Sequence, residues 1–414
     1  MIFGGKHILI IVENLPVPFD RRVWEEANTL KENGAHVSVI CPKMKGFTKS
    51  YECINGIEIY RHSLPIEASK ALGYLLEYTI ALFWEFFLSW KIFFKKRFHV
   101  IHGCNPPDLV FVIALSFKLF GVKYVFDHHD INPELYEAKY KKKNLFYRLL
   151  VLLEKITFQV ADYSIATNES FKKIAINRGR MEENKIAIIR SGPRLNRFTP
   201  GLPNHLYKKN KKYLVGYIGV IAEQDGLDLL MQIILLVTTQ NSNIHFAIIG
   251  GGTELDKIKA LACKSGISEH VDFYGLLSDD KLINDILNAC DICVNPDPPG
   301  PYNNLITTNK VMEYMALKKP MIQFDLKEGK FSAGKASLYA QDMNDYVDKI
   351  LWLVSNPDAC IEMGEYGFNR VRNQLCWEFE SKKLVNFYSN VLQVKVFSLH
   401  TDSFPQQKEV TVLK

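Results

Sequence analysis

The chain has 414 residues, more than one hydrophobic core usually organises, so two domains are the default. Its 47% apolar content is ordinary for a soluble globular protein, and a net charge of +6 is too modest to suggest a nucleic-acid binder by itself while suiting anionic lipid surfaces or phosphate-bearing ligands. The eight cysteines are scattered without a paired framework, which argues against a disulfide scaffold and for reduced thiols in a cytosolic setting.

The first apolar run, Ile8–Val12, is short and followed by turn-formers, so it reads as a buried strand and not as a secretory leader. Further strands are expected at Val37–Ile40, Ile57–Tyr60, Val100–His102, Tyr124–Asp127, Tyr163–Ala166 and Ile186–Ile189. Amphipathic helices are expected at Arg22–Glu32, closed by Gly34, and at Leu145–Val160. The stretch Tyr74–Arg97 is apolar and aromatic, interrupted by Glu77, Glu85 and Lys91 and closed by Lys95, Lys96 and Arg97. Its two readings are a helix dipped into a membrane surface and an ordinary packed helix.

The polar, basic segment Pro200–Lys212 breaks the pattern, and a second alternating series follows. Its strands are expected at Leu214–Ile218, His245–Ile249, Val271–Tyr274, Ile292–Asn295 and Met321–Phe324, with helices starting near Gly226, Thr253, Asp279 and Asn309. Such alternation predicts an α/β protein of two doubly wound Rossmann-like domains facing a cleft, where ligands would sit beyond the carboxyl ends of the strands. The expected boundaries are 1–195 and 213–375, joined by a linker at 196–212; 376–395 is a helix crossing back to the first domain and 396–414 a loose tail. The Cys290-x-x-Cys293 spacing reads as a helix end and a buried strand position, because no second ligand pair follows it.

No GxGxxG follows the first strand, and no Walker, HExxH or GxSxG motif is present. Gly250, Gly251 and Gly252 do follow a strand and open a helix, which permits a close backbone approach. Three polar clusters remain. "FDHHDINPELY", Asp127–Tyr136, places two histidines and three carboxylates at one strand end, suited to substrate binding or proton chemistry, with a metal site as a minor alternative. "PVPFDRRVWEE" offers Asp20 as a helix cap, with Arg21 and Arg22 in a first turn where the dipole disfavours cations. That placement suggests an anionic partner, the alternative being a solvated surface pair. In "NNLITTNKVMEYMALKKP", Thr307, Thr308 and Asn309 read as a cap, and Lys310 and Glu313 lie one turn apart on one face. Free amides and a lysine at a helix start suit phosphate oxygens.

These segments, with "IIRSGPRLNRF", "GYIGVIAEQDGLDLL" and a late tryptophan, resemble the GT-B-fold retaining glycosyltransferases of family four. The resemblance runs from about Lys6 to Leu392 and is strongest to bacterial enzymes of O-antigen, capsule and exopolysaccharide synthesis, in the branch transferring amino sugars. It implies a UDP-sugar co-substrate, no metal, and a glycan or polyprenyl-diphosphate-linked acceptor. The cysteine usage suits a cytoplasmic location, and the Tyr74–Arg97 stretch suits peripheral contact with the inner face of the membrane. His129 and Asp130 match the donor-sugar pair, Gly219 the diphosphate turn, Tyr274 to Leu277 (with Leu276) the base site and Glu313 the ribose anchor. Three departures stand out: Leu305 replaces the first signature glutamate, and Val220 and Asp225 replace the Arg and Lys beside the diphosphate. Lys310 and Arg190 are therefore the candidate cations for the leaving group, and Asp20, Arg21 and Arg22 the acceptor side. An epimerase of the same fold and a catalytically inactive scaffold are the alternatives.

Overall fold

The computed structural model describes residues 2–63 and 71–394. The tail expected from 396 onward lies outside them. The first eight strands are β1 His7–Ile11, β2 His36–Pro42, β3 Tyr51–Ile54, β4 Ile57–His62, β5 Val100–Cys104, β6 Lys123–His128, β7 Tyr163–Ala166 and β8 Ile186–Ile188. They form one sheet in the order β3-β4-β2-β1-β5-β6-β7-β8. β1 and β5 are buried along their whole length, as strands covered by helices on both faces must be. The second sheet holds β9 Tyr213–Ile218, β10 Ile244–Ile249, β11 Val271–Gly275, β12 Ile292–Asn295, β13 Met321–Phe324 and β14 Ser337–Ala340. Its order is β11-β10-β9-β12-β13-β14, with every pair parallel.

Two strands escape the sequence expectations. β3 is antiparallel to β4 across an Asn55-Gly56 turn with both φ positive, the backbone a two-residue hairpin turn requires. Asn-Gly between two apolar-alternating runs is a strong hairpin signal, so β3 was open to prediction. β14 is four residues at a sheet edge, too short for a periodic signal. The helices match more closely: Arg21–Glu32 is capped by the Asp20 carboxylate accepting from the Val23 amide at 3.1 Å, and Leu145–Val160 has the expected limits.

The glycine triplet serves loop packing. A Cβ on Gly250 would lie 1.8 Å from the Gly219 carbonyl oxygen, and one on Gly252 would lie 2.3 Å from that of Ile221. Only glycines let the loop after β10 close on the loop after β9, where Gly219 and Ile221 amides bond across at 3.0 Å each. Cys290 ends a helix and Cys293 is buried in β12; both thiols are free.

The chain passes between the sheets twice. On the return, Leu375 packs so tightly on Gly192 that a Cβ there would sit 1.9 Å from its carbonyl oxygen. Helix Trp377–Val391 then docks on helix Arg21–Glu32, burying Trp377, Leu384, Phe387 and Tyr388 in the core beneath β1 and β2. The Trp377 indole donates to Thr29 at 3.1 Å. Helix Ala71–Lys95 covers the first sheet near β2 and β4 while leaving Phe83, Phe87 and Phe94 largely in solvent. Among the described residues, no helix is long and apolar enough to cross a membrane.

Candidate active site in the interdomain cleft

A cavity of about 480 Å³ opens between the carboxyl ends of the two sheets. From the first domain it is lined by Arg22, His129, Asp130 and Ser191. From the second come Gly219, Val220, Asp225, Tyr302 and the run Ile306 to Lys310. The structure thus brings together residues 288 positions apart in sequence (310 − 22) around one concave surface.

The first-domain wall is held by a buried ionic cluster. Arg22 grips Asp127 through two bonds, Nη2 to Oδ1 at 2.9 Å and Nε to Oδ2 at 3.2 Å. Its Nη1 donates to the Ile189 carbonyl and the Ser191 hydroxyl, both at 3.0 Å. Burial opposes charge at Asp127, yet Arg22 and His129 hold its carboxyl well below the usual range. Glu26, 3.2 Å from Arg22, is pushed well above its usual range, by burial first and then by Asp127. The strong ion pair of the cluster is Arg22–Asp127, with the Glu26 carboxyl beside it held above its usual range. His129 packs its Nε2 against Asp127, with Arg22 Nε 3.0 Å from the same nitrogen. Two groups of these ligand-type residues, Glu26, Asp127, His129 and His102, Cys104, Asp127, have converging donor atoms. The guanidinium of Arg22 already supplies the cation that the first group would otherwise need.

Arg22 lines the edge of the cavity, but its donors are spent on Asp127, Ile189 and Ser191, so in this structure it is a mostly buried strut of the wall and not the open acceptor contact expected from sequence. Arg21 is exposed but turns to Asp280 of the second domain, 3.3 Å away, rather than to an open acceptor surface. Asp20 caps its helix. Asn105, which sequence reasoning passed over, holds the His129–Asp130 turn: its Oδ1 accepts from the His129 amide at 2.7 Å and the Asp130 amide at 3.1 Å. The polar "CNPPD" directly after β5, one strand from β6, was the available signal. Asp130, its carboxyl raised by burial, accepts from the Tyr302 hydroxyl across the cleft at 3.2 Å.

The second-domain wall centres on Lys310. Its Nζ donates to Asp297 Oδ1 at 2.7 Å and Asn295 Oδ1 at 2.9 Å and lies 5.1 Å over the Tyr217 ring. Burial works against the charge, but Asp297 and its neighbours raise Lys310 above the ordinary lysine value. An ammonium has three donors; two are committed to Asp297 and Asn295, and the third is on the side of Tyr217. Helix Asn309–Ala316 begins there with no side-chain cap: the Thr308 hydroxyl lies 3.5 Å from Asn295 instead, and Thr307 accepts from Asn168 of the first domain at 3.1 Å. The capping role expected of these threonines is therefore not filled, which leaves the first helical amides open to the cavity. Asp225 faces the same space, its carboxyl raised to about 6, chiefly by burial.

Several expected residues do not line this cavity. Glu313 sits one turn beyond Lys310, beside Arg197 at 3.9 Å, its carboxyl raised by burial. Arg190 lies against the Phe331 ring at 4.6 Å and reaches the Thr167 carbonyl at 3.4 Å, contacts outside the cavity lining. Tyr274 turns its hydroxyl to Asp272 at 3.4 Å, and Leu276 is exposed beside the Gly251 loop. Leu305, standing where the signature carboxylate is missing, packs with Tyr302 and Ile306 against the first domain's core.

The chain matches two family models across these two halves: "Glycosyltransferase Family 4" over residues 20–197 and "Glycosyl transferases group 1" over residues 212–356. It belongs to the family 4, group 1 glycosyltransferases. It is 24% identical over 274 residues to the capsular polysaccharide biosynthesis glycosyltransferase CapM of Staphylococcus aureus, covering 61% of this chain and 67% of that one. Sucrose-phosphate synthase from Thermosynechococcus elongatus superposes with a TM-score of 0.73 at 18% identity, over 94% of this chain and 99% of that one. The HepE protein of Anabaena, solved with UDP and glucose, gives 0.66 at 13%, over 93% and 100%. The fold of this glycosyltransferase is therefore GT-B, two parallel-sheet domains facing a cleft.

Proposed function

We propose that this glycosyltransferase moves a sugar, an N-acetylated amino sugar or other hexose, from a UDP-sugar to a glycan or polyprenyl-diphosphate-linked acceptor with retention of configuration. The biological setting is cell-surface polysaccharide synthesis at the inner face of the membrane. The observation that carries the reading is the single cavity where His129 and Asp130 meet Gly219, Lys310 and the uncapped helix start at Asn309. A diphosphate placed there meets open amides and the charge of Lys310, while His129 and Asp130 face the sugar.

In this mechanism UDP leaves against fixed donors, and the acceptor hydroxyl attacks from the face the leaving group vacates. Electrostatic stabilisation of the leaving diphosphate lowers the barrier without a covalent intermediate, and each donor lost should slow the reaction by about a hundredfold or more. No metal is expected, so turnover should survive EDTA. The acceptor lipid docks beside helix Ala71–Lys95, whose exposed Phe83, Phe87 and Phe94 lie on the same element as Lys91 and Lys95. Full activity on a lipid-free sugar would count against that acceptor.

Isothermal calorimetry with UDP, followed by a panel of UDP-sugars screened for thermal protection, tests the donor assignment. UDP binding without turnover of any UDP-sugar would favour an inactive scaffold. Conversion of a UDP-sugar with no acceptor present, to an isomer and not to free sugar, would favour an epimerase.

A further inference from the structure

The returning C-terminal helix reaches into the active-site wall. Tyr388, wholly buried on helix Trp377–Val391, lies with its hydroxyl oxygen 2.6 Å from His102 Nδ1. The two rings are parallel, 2° between planes at a centroid distance of 6.2 Å. His102, at the centre of β5, places its other nitrogen, Nε2, 3.2 Å from Asp127 Oδ2 and 3.4 Å from Glu26. That same Oδ2 contacts His129 Nε2 in the cavity wall. A continuous line of hydrogen bonds thus runs from a residue 286 positions downstream of His102 to the histidine that faces the cleft.

We infer that Tyr388 and His102 are positioning residues that set the tautomer and orientation of His129 through Asp127. The inference rests on the reading of His129 as the donor-facing histidine. Its direction follows from proton counting. Asp127 is an ionised carboxylate and only accepts, so His102 Nε2 carries the ring proton that points at it. His102 Nδ1 is then an acceptor, and the Tyr388 hydroxyl donates to it. His129 Nε2 lies between Asp127 Oδ2 and the Arg22 Nε–H, so its tautomer follows from which of the two it engages: a proton toward Asp127 leaves Nδ1 uncommitted, whereas accepting from Arg22 puts the proton on Nδ1. Remove the Tyr388 hydroxyl and His102 Nδ1 loses its donor, so nothing on that side holds the ring against Asp127. The His102–Asp127 bond then loosens, and Asp127 turns from the position that holds His129. Burial supports the protonation states: His102 is held below its usual range, so it is neutral, and Tyr388 is pushed well above its own, so it keeps its proton. Glu26 is the other titratable group facing His102, and Arg22 supplies the one buried cation of the cluster.

The test uses the full chain labelled with [15N]histidine, whose 11 imidazoles report tautomer through their ring nitrogens. In the parent protein, His102 should be a single Nε2–H tautomer. In Tyr388→Phe, which keeps the packed ring, the His102 Nδ1 signal should shift as it loses its donor, and the His129 signals should shift with it. The kcat for acceptor-free hydrolysis of a UDP-sugar should fall about threefold to tenfold with KM unchanged, as for one lost buried hydrogen bond. Leu384→Val on the same helix is the control for mere packing: it should lower thermal stability and leave both histidines' signals in place. His129 signals unchanged in Tyr388→Phe, or shifted equally by Leu384→Val, would overturn the inference. Calorimetry with UDP on the parent is a separate arm. No binding there would refute the donor reading, while the nitrogen shifts would still decide whether Tyr388 governs His129.

Discussion

Lys310 has two roles that one pair of substitutions separates. Its ammonium lies 2.7 Å from Asp297, and both side chains are almost wholly buried. Lys310→Met keeps the length of the side chain and removes the charge. Asp297 Oδ2 already has no hydrogen-bond partner, so the variant leaves the whole carboxylate inside the domain with no cation. Breaking a buried pair from one side costs about 3–5 kcal/mol. For a domain of this size that is a fall in melting temperature of roughly 6–20 °C. Adding Asp297→Asn removes the stranded charge, so the double variant should regain most of that stability. It should not regain the donor site. UDP affinity should stay at least about tenfold below that of the parent, because a charge-assisted contact to phosphate is worth about 1.5–3 kcal/mol. Scanning calorimetry gives the first number and titration calorimetry with UDP the second. A double variant that binds UDP as tightly as the parent would show that Lys310 only neutralises Asp297. A single variant as stable as the parent would show that the pair holds nothing together.

Three further outcomes follow from burial and close contact. The Asp225 carboxyl, raised from 3.8 to about 6 by burial, contributes stability that is complete below its unfolded value and lost as pH rises through about 6. Asp225→Asn should therefore stabilise the protein by about 1–2 kcal/mol at pH 7 and by little at pH 4, and should tighten UDP binding at pH 7 by removing a like charge; denaturant curves at the two pH values that run in parallel would refute this. Glu85, raised to about 8 by burial alone, loses its contribution between its unfolded value and about 8. His62, 3.9 Å away and held down to about 4, is neutral across that range. Glu85→Gln should thus stabilise by up to about 3 kcal/mol near pH 8 and lose that advantage near pH 4.5, measured by thermal unfolding across pH. Gly250→Ala forces a methyl to within 1.8 Å of the Gly219 carbonyl and should cost about 2–3 kcal/mol in urea unfolding while weakening UDP binding; a change under about 0.5 kcal/mol would mean the two loops are not in close register.

What the sequence determined by itself was the local and periodic part. Buried parallel strands show as short β-branched runs, and these placed β1, β2, β4 to β13 within a residue or two. The Asp20 cap and the limits of Leu145–Val160 follow from short-range chemistry that needs no partner elsewhere. The candidate clusters were legible too, because polar residues gathered after an apolar strand have few structural excuses. His129, Asp130, Gly219 and Thr307 to Lys310 all reach the one cavity.

What only the tertiary structure decided was which way each polar group turns, since that depends on partners distant in sequence. Arg22 reads as a surface cation until Asp127, Ile189 and Ser191 converge on it from 105, 167 and 169 residues away. Arg190 and Glu313 carry the right chemistry for a donor site, and only the fold shows that their neighbours are Phe331 and Arg197. The threonines before Lys310 have the composition of a cap, yet contacts with Asn168 and Asn295 leave the helix start open. Tyr388 carried no signal at all. A tyrosine on an amphipathic helix is ordinary, and only the docking of that helix on the opposite domain puts its hydroxyl against His102.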